Sequence, residues 1–306
     1  MRKWQCVTIH TIEVQELKCK TMKKILFPFE LDNPLYKDAY IFGVKFARNI
    51  NAELIVLNVF KVEVGDDITT DEYDYLKKQN WFKAYNEICK YNRYYLEEHA
   101  KPVQELNLRF HYRFVNGVLL DEVRSIARKE SIDMTVLPLS DQKEFNKRQL
   151  RIIRDNVYEN SRSSLLLIPF RTVYSPIQRI VYAIDFKLNA PSQYLDEVVK
   201  LAHAFEANVH FLHISSGNSA MKWERSEAFE MVQKIIEKNR EFVSECLTGK
   251  NVVNLIDNYV DQVGADLLIV VRHQHYFLDT IFHDSVSDRI SFESKIPVLI
   301  MREKTH

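Results

Sequence analysis

The chain repeats itself. Ile25-Leu26-Phe27-Pro28-Phe29-Glu30 aligns with Ile180-Val181-Tyr182-Ala183-Ile184-Asp185, and Asn51-Ala52-Glu53-Leu54-Ile55-Val56-Leu57 with Glu206-Ala207-Asn208-Val209-His210-Phe211-Leu212, both at an offset of 155. Further on, Ile132-Asp133-Met134-Thr135-Val136 matches Ala265-Asp266-Leu267-Leu268-Ile269, and Leu165-Leu166-Leu167-Ile168 matches Val298-Leu299-Ile300-Met301, both at 133. A fixed offset at two separated places in each half marks a duplicated unit, and duplication restricts the architecture more than any compositional value does. The fall from 155 to 133 locates a 22-residue excess in the first copy, between its second and third strands.

Within each copy, short apolar runs alternate with longer stretches of helical periodicity, the pattern of β-α-β units around a parallel sheet buried on both faces. The runs predict strands near 24–30, 53–60, 108–115, 133–138 and 164–169, and again near 179–185, 208–214, 242–247, 266–271 and 297–301. A first helix over 34–49 follows from the stripe Ala39, Phe42, Gly43, Phe46, Ala47. Equivalent glycines, Gly117 and Gly249, follow the third strand of each copy. Residues 22–170 form the first domain, 171–178 with Ser175-Pro176 the linker, and 179–306 the second domain. Residues 1–21 read as an extension outside the fold, since Met22 stands directly before the first strand; interleaved polar residues such as His10, Glu13 and Glu16 deny them the apolar centre of a signal peptide.

The order strand, acidic turn, helix, second strand, long helix, third strand ending at glycine, Ala-Asp-Leu-Leu-Ile-Val strand and terminal Pro-Val-Leu-Ile strand resembles the universal stress protein family. The second copy carries it most closely, in Ile180–Asp185, Gly264–Val270, Ser285–Ile290 and Ile296–Ile300. The resemblance implies an α/β fold of two tandem doubly wound, mainly parallel five-stranded sheets, of the adenine nucleotide alpha hydrolase-like kind. It also implies that the last strands of the two copies pack together as a pseudo-dimer.

Nucleotide-binding members of that family carry a G-x-x-G-x(9)-G-[ST] loop after the fourth strand, where bare backbone N–H groups and a helix N-terminus approach phosphates. Alignment from Pro297 backwards puts the three glycine positions at Val271, Gln274 and Asp284, and in the first copy at Pro138, Asp141 and Arg151. None is glycine. Asp185 stands where the family has its binding-site aspartate, Glu30 stands there in the first copy, and Ser285 and Ser287 belong to the phosphate-contacting segment. These four residues are the candidate ligand site. Their alternative reading is structural, with Asp185 and the serines capping the helices beside them.

The strand ends of the second copy also gather histidine. His213, His273, His275 and His283 approach Asp185 at the switch point of a doubly wound sheet, a donor set suited to zinc, while His210 on the same strand as His213 faces the other way. No compact ligand motif joins them, and solvated loop histidines are the alternative. In the first copy, Lys147, Arg151 and Arg154 share a helical face, either a polyanion stripe or a solvated surface balanced by Glu144 and Asp155. The 22-residue excess is rich in aromatics, and Trp81, Tyr85, Ile88 and Tyr95 keep helical spacing. They predict a long amphipathic helix, part core and part surface for a protein partner or homo-oligomer.

Composition removes other classes. Forty-two basic residues against 42 acidic ones leave no net field for nucleic acid or an anionic membrane surface, and apolar runs such as 165–170 are too short to span a bilayer. Cys6, Cys19, Cys89 and Cys246 form neither a C-x-x-C pair nor a secreted disulfide rhythm, which fits a cytoplasmic protein. No Gly-x-Ser-x-Gly elbow or P-loop supports catalysis. The expectation is a non-enzymatic, cytoplasmic stress-response or regulatory protein with degenerate ATP-binding loops, acting through protein contacts or a small ligand. It needs no cofactor. The alternative is a module binding ATP, AMP or zinc in the second cleft.

Overall fold

A computed structural model describes residues 22–30, 35–60, 69–99, 108–139, 163–184, 191–215, 224–249, 251–271 and 294–301. The first half runs β1 (Lys24–Phe29), α1 (Leu35–Asn49), β2 (Glu53–Phe60), α2 (Thr70–His99), β3 (Phe110–Asn116), α3 (Leu119–Lys129), β4 (Met134–Pro138) and β5 (Ser164–Ile168). The second runs β6 (Arg179–Ile184), α4 (Pro191–Phe205), β7 (Asn208–Ser215), α5 (Glu227–Lys238), β8 (Val243–Thr248), α6 (Val252–Val263), β9 (Leu267–Val271) and β10 (Val298–Met301). The sequence periodicity placed all ten strands within about two residues.

The strands form one ten-stranded sheet in the order β3-β2-β1-β4-β5-β10-β9-β6-β7-β8. Each half contributes five parallel strands, and the halves meet where β10 runs antiparallel to β5, Leu299 opposite Leu166. The two five-stranded sheets join edge to edge through their last strands. The order reads the same from either edge with strand direction reversed, as a two-fold axis normal to the sheet requires. Such an axis keeps faces. Both halves therefore place α1, α2, α4 and α5 against one side, and α3 and α6 against the other.

Alternation of side chains explains the continuous apolar runs of the strands. Ile25, Phe27 and Phe29 enter the first core with Tyr182 and Phe211, while Leu26, Leu57, Val181 and Leu212 enter the second. The helices cross the seam as well: Phe46 of α1 packs on Phe205 of α4 with ring centroids 5.0 Å apart. Linker Tyr174 lies against Phe42 and takes a hydrogen bond from Asn49 Nδ2 to its hydroxyl at 3.0 Å.

The duplication extends to single atoms. Asp133 Oδ2 accepts the backbone N–H groups of Lys23 and Lys24 at 2.8 and 3.1 Å, and Asp266 Oδ2 those of Gln178 and Arg179 at 2.9 Å each. One carboxylate thus anchors the start of the central strand in each half. Left-handed residues recur too, Asn51 with Glu206 at φ 55° and Ser131 with Gly264 at φ 52° and 63°. The last pair ends α3 and α6, a position glycine fills without a Cβ penalty and serine does not.

The copies differ where the offset changes. α2 has 30 residues and α5 has 12. α2 begins with a capping box: Glu72 Oε2 accepts from the Thr69 N–H and hydroxyl at 2.9 and 2.8 Å, and Thr69 Oγ1 accepts from the Glu72 N–H at 3.3 Å. Those bonds hold the Glu72 carboxyl below its usual range.

Candidate functional site

In a doubly wound sheet ligands enter where the chain order reverses, here between β1 and β4 and between β6 and β9. The ladders part there. β1 stays paired with β2 along six residues but with β4 only at Ile25 and Leu26, and β6 meets β9 only at Ile180, Val181 and Tyr182. Pro28 fits this opening. Alternate backbone groups of β1 face β4, as the Lys24 carbonyl does in accepting from the Asp133 N–H, so the missing N–H of Pro28 falls on the open side. Each half thus carries a crevice at the carboxyl ends of its strands.

One buried polar side chain borders each crevice. His213 of β7 donates from Nδ1–H to the Ile184 carbonyl at 3.2 Å, and Asn58 of β2 donates from Nδ2 to the Phe29 carbonyl at 3.1 Å. Both are 2% exposed. Asn58 and His213 stand 155 apart, as do Phe29 and Ile184, so the same bond is made twice with different chemistry. A carbonyl only accepts, which fixes the proton of neutral His213 on Nδ1. His213, one of the expected metal ligands, thus ties off the last carbonyl of the central strand through Nδ1, a bond that a ligating imidazole also makes with its second nitrogen. The alignment contained that signal in the pairing of Asn58 with His213.

Of the other candidate residues, Glu30 is half-buried directly after β1. Asp185, Ser285, Ser287, His273, His275 and His283 lie outside the described residues, as do Gln274, Asp284, Asp141, Arg151 and the stripe of Lys147 and Arg154. Among the described residues no group of three His, Cys, Asp or Glu side chains comes together. His210 faces away from His213, as strand alternation predicted: its Nδ1 lies 2.9 Å from the Tyr259 hydroxyl of α6, on the other side of the sheet. Burial, aided by Arg179, pushes the His210 imidazole down, and burial with nearby Glu245 pushes the Tyr259 hydroxyl up to about 12. The pair has no counterpart in the first half, where Ile55 and Ile126 occupy these positions. His203 lies apart on α4, 3.0 Å from Asn239 Oδ1.

Two positions aligned with the first glycine of the phosphate loop are described. Pro138 is buried and paired with Ile168, and Val271 is 1% exposed and paired with Met301. Both continue their strands into the core, and each carries a side chain where close phosphate approach needs bare backbone.

The aromatic excess takes a distinct form. On α2, only Ala84 and Ile88 are buried among the described hydrophobic side chains, while Trp81 is 42% exposed and Tyr85 41%. Trp81 stacks on Tyr85 at 5.3 Å and meets Phe114 of edge strand β3 edge-on at 5.6 Å. The stripe is part core and part surface, as its helical spacing predicted: Ile88 is buried, while Trp81 and Tyr85 stand exposed beside the edge strand. Tyr91, Tyr94 and Tyr95 lie outside the described side chains.

Residues 176–302 match the model of the universal stress protein family. A universal stress protein from Archaeoglobus fulgidus superposes with a TM-score of 0.64 at 14% identity, covering 91% of this chain and 96% of its own. A functionally unknown protein from Pseudomonas aeruginosa gives 0.54 at 12%, covering 92% of both chains. The cytoplasmic domain of a prokaryotic cation chloride cotransporter gives 0.51 at 12%, covering 91% and 95%. At these identities the likeness to solved structures is one of fold. Among curated proteins no sequence match is found. No described helix is long and apolar enough to cross a membrane. The second half of the chain is a domain of the universal stress protein family, and the first half sets a second copy of the same fold in tandem with it.

Proposed function

We propose that the protein is a non-enzymatic, cytoplasmic regulatory member of the universal stress type, whose ATP-binding loops are degenerate and whose output is contact with other proteins. The observation that carries this reading is the pair Pro138 and Val271. At equivalent strand ends both halves extend the core where the family's loop begins with glycine. The scaffold is kept and the anion cradle is replaced.

Calorimetric titration with ATP, ADP and AMP tests the reading, with zinc as a fourth titrant. No saturable heat is expected from any of them. Saturable nucleotide binding abolished by Asp185→Ala, or zinc binding abolished by His213→Ala in a still-folded protein, would overturn it in favour of a ligand module in the second crevice.

A further inference from the structure

We infer that the exposed face of α2 is a self-association surface and that its occupant is a second copy of this chain, packed antiparallel across a two-fold axis near Lys78 and Gln79. Tyr75 is 61% exposed and Phe82 57%, and they stand seven residues apart, two helical turns on one ridge. Beside them are Leu76, Trp81 and Tyr85, each more than a third exposed. The ridge belongs to the 22-residue excess of the first half, and the 12-residue α5 has no equivalent overhang.

Symmetry and charge select the occupant. An axis midway between Tyr75 and Phe82 sets each Tyr75 against Phe82 of the other copy, so one ridge complements itself, as an isologous contact demands. The first turns of α2 carry exposed Asp71 and Asp74, and the following turns exposed Lys77, Lys78 and Lys83. About that axis antiparallel packing sets Asp74 of each copy against Lys83 of the other, with Lys77 and Lys78 beside the axis, whereas parallel packing would set Asp74 against Asp74. On the ridge itself Tyr75 and Phe82, about 150–250 Å² each and roughly half exposed, present ~200 Å² per copy, a quarter of the ~800 Å² each partner buries in a standard interface, with Leu76 and Tyr85 on its flanks. The flanks of the helix supply the remainder.

This deepens the reading of the chain as a contact protein and is tested apart from it, since nucleotide binding would overturn that reading and leave the dimer untouched. Size-exclusion chromatography with light scattering, run as a dilution series on the full chain, is expected to show a dimer. Phe82→Glu should weaken association at least ~tenfold, as loss of a central aromatic anchor does. Adding Tyr75→Lys to Phe82→Glu should restore association, because opposite charges then meet twice across the axis. Both side chains are mostly exposed, so thermal unfolding of the variants should match that of wild type diluted until monomeric. A monomer at every concentration, a dimer indifferent to Phe82→Glu, or a double variant no tighter than Phe82→Glu alone would overturn the proposal.

Discussion

Replacing His213 tests whether its ring serves the fold as Asn58 does in the other half. The ring is buried and bonds through Nδ1 to the Ile184 carbonyl, and Asn58 makes the same bond to Phe29 in the other half. His213→Ala removes the donor and strands a carbonyl at the end of the central strand. An unsatisfied buried polar group costs ~1–3 kcal/mol, and the space vacated by the ring adds a cavity term, so a loss of roughly 3 kcal/mol is expected. His213→Asn installs the donor that already serves the equivalent position. It keeps the hydrogen bond and loses part of the ring volume, and should cost only about 1 kcal/mol. Asn58→Ala, by the same bond count, should cost ~1–3 kcal/mol. Urea unfolding followed by tryptophan fluorescence and circular dichroism gives all three differences from the midpoints at constant slope. Equal losses for His213→Asn and His213→Ala would refute the equivalence. So would Asn58→Ala at no cost.

Asp266→Ala should destabilise by about 2–3 kcal/mol, since one carboxylate oxygen satisfies two backbone N–H groups, the value being discounted for their partial exposure; Asp133→Ala should match it within ~1 kcal/mol, and chemical denaturation of both variants checks the symmetry. Thr135 is fully buried and its hydroxyl finds no hydrogen-bond partner among the described residues, while the equivalent residue of the second half is Leu268. Thr135→Val should therefore raise stability by ~1 kcal/mol, read as a higher melting temperature. His210 titrates below its ordinary 6.5 because burial disfavours the cation. The unfolded chain takes up the proton first, so stability falls as pH drops through 6.5 towards the lowered value. His210→Ile, the residue type of the first half, should flatten the stability profile in that acidic window; an unchanged slope would show that other groups set it.

Periodicity and the repeat were enough to place ten strands, to pair the halves and to find the helix that lengthens the first copy, because burial on both faces writes parallel strands as unbroken apolar runs. The opposed facing of His210 and His213 was legible for the same reason: a strand alternates, and three residues reverse the side. What these patterns could not carry was the partner of each polar group. Asp133 and Asp266 looked like ordinary residues of a matched segment, and only the return of the chain beside β4 and β9 shows them gripping the starts of β1 and β6. His213 was read as a metal ligand from its place at the switch point of the sheet. Its bond to Ile184 exists only once β6 lies against β7, 29 residues away in sequence. Helical spacing foresaw a stripe part core and part surface, but not which of Trp81, Tyr85 and Ile88 would be buried, since it does not tell where a sheet lies beneath. β3 is the edge strand, so the sheet ends under α2 and leaves aromatic side chains in solvent. Local pattern specifies elements because it is written by neighbours along the chain; the sites depend on contacts made across it, which only the tertiary structure decides.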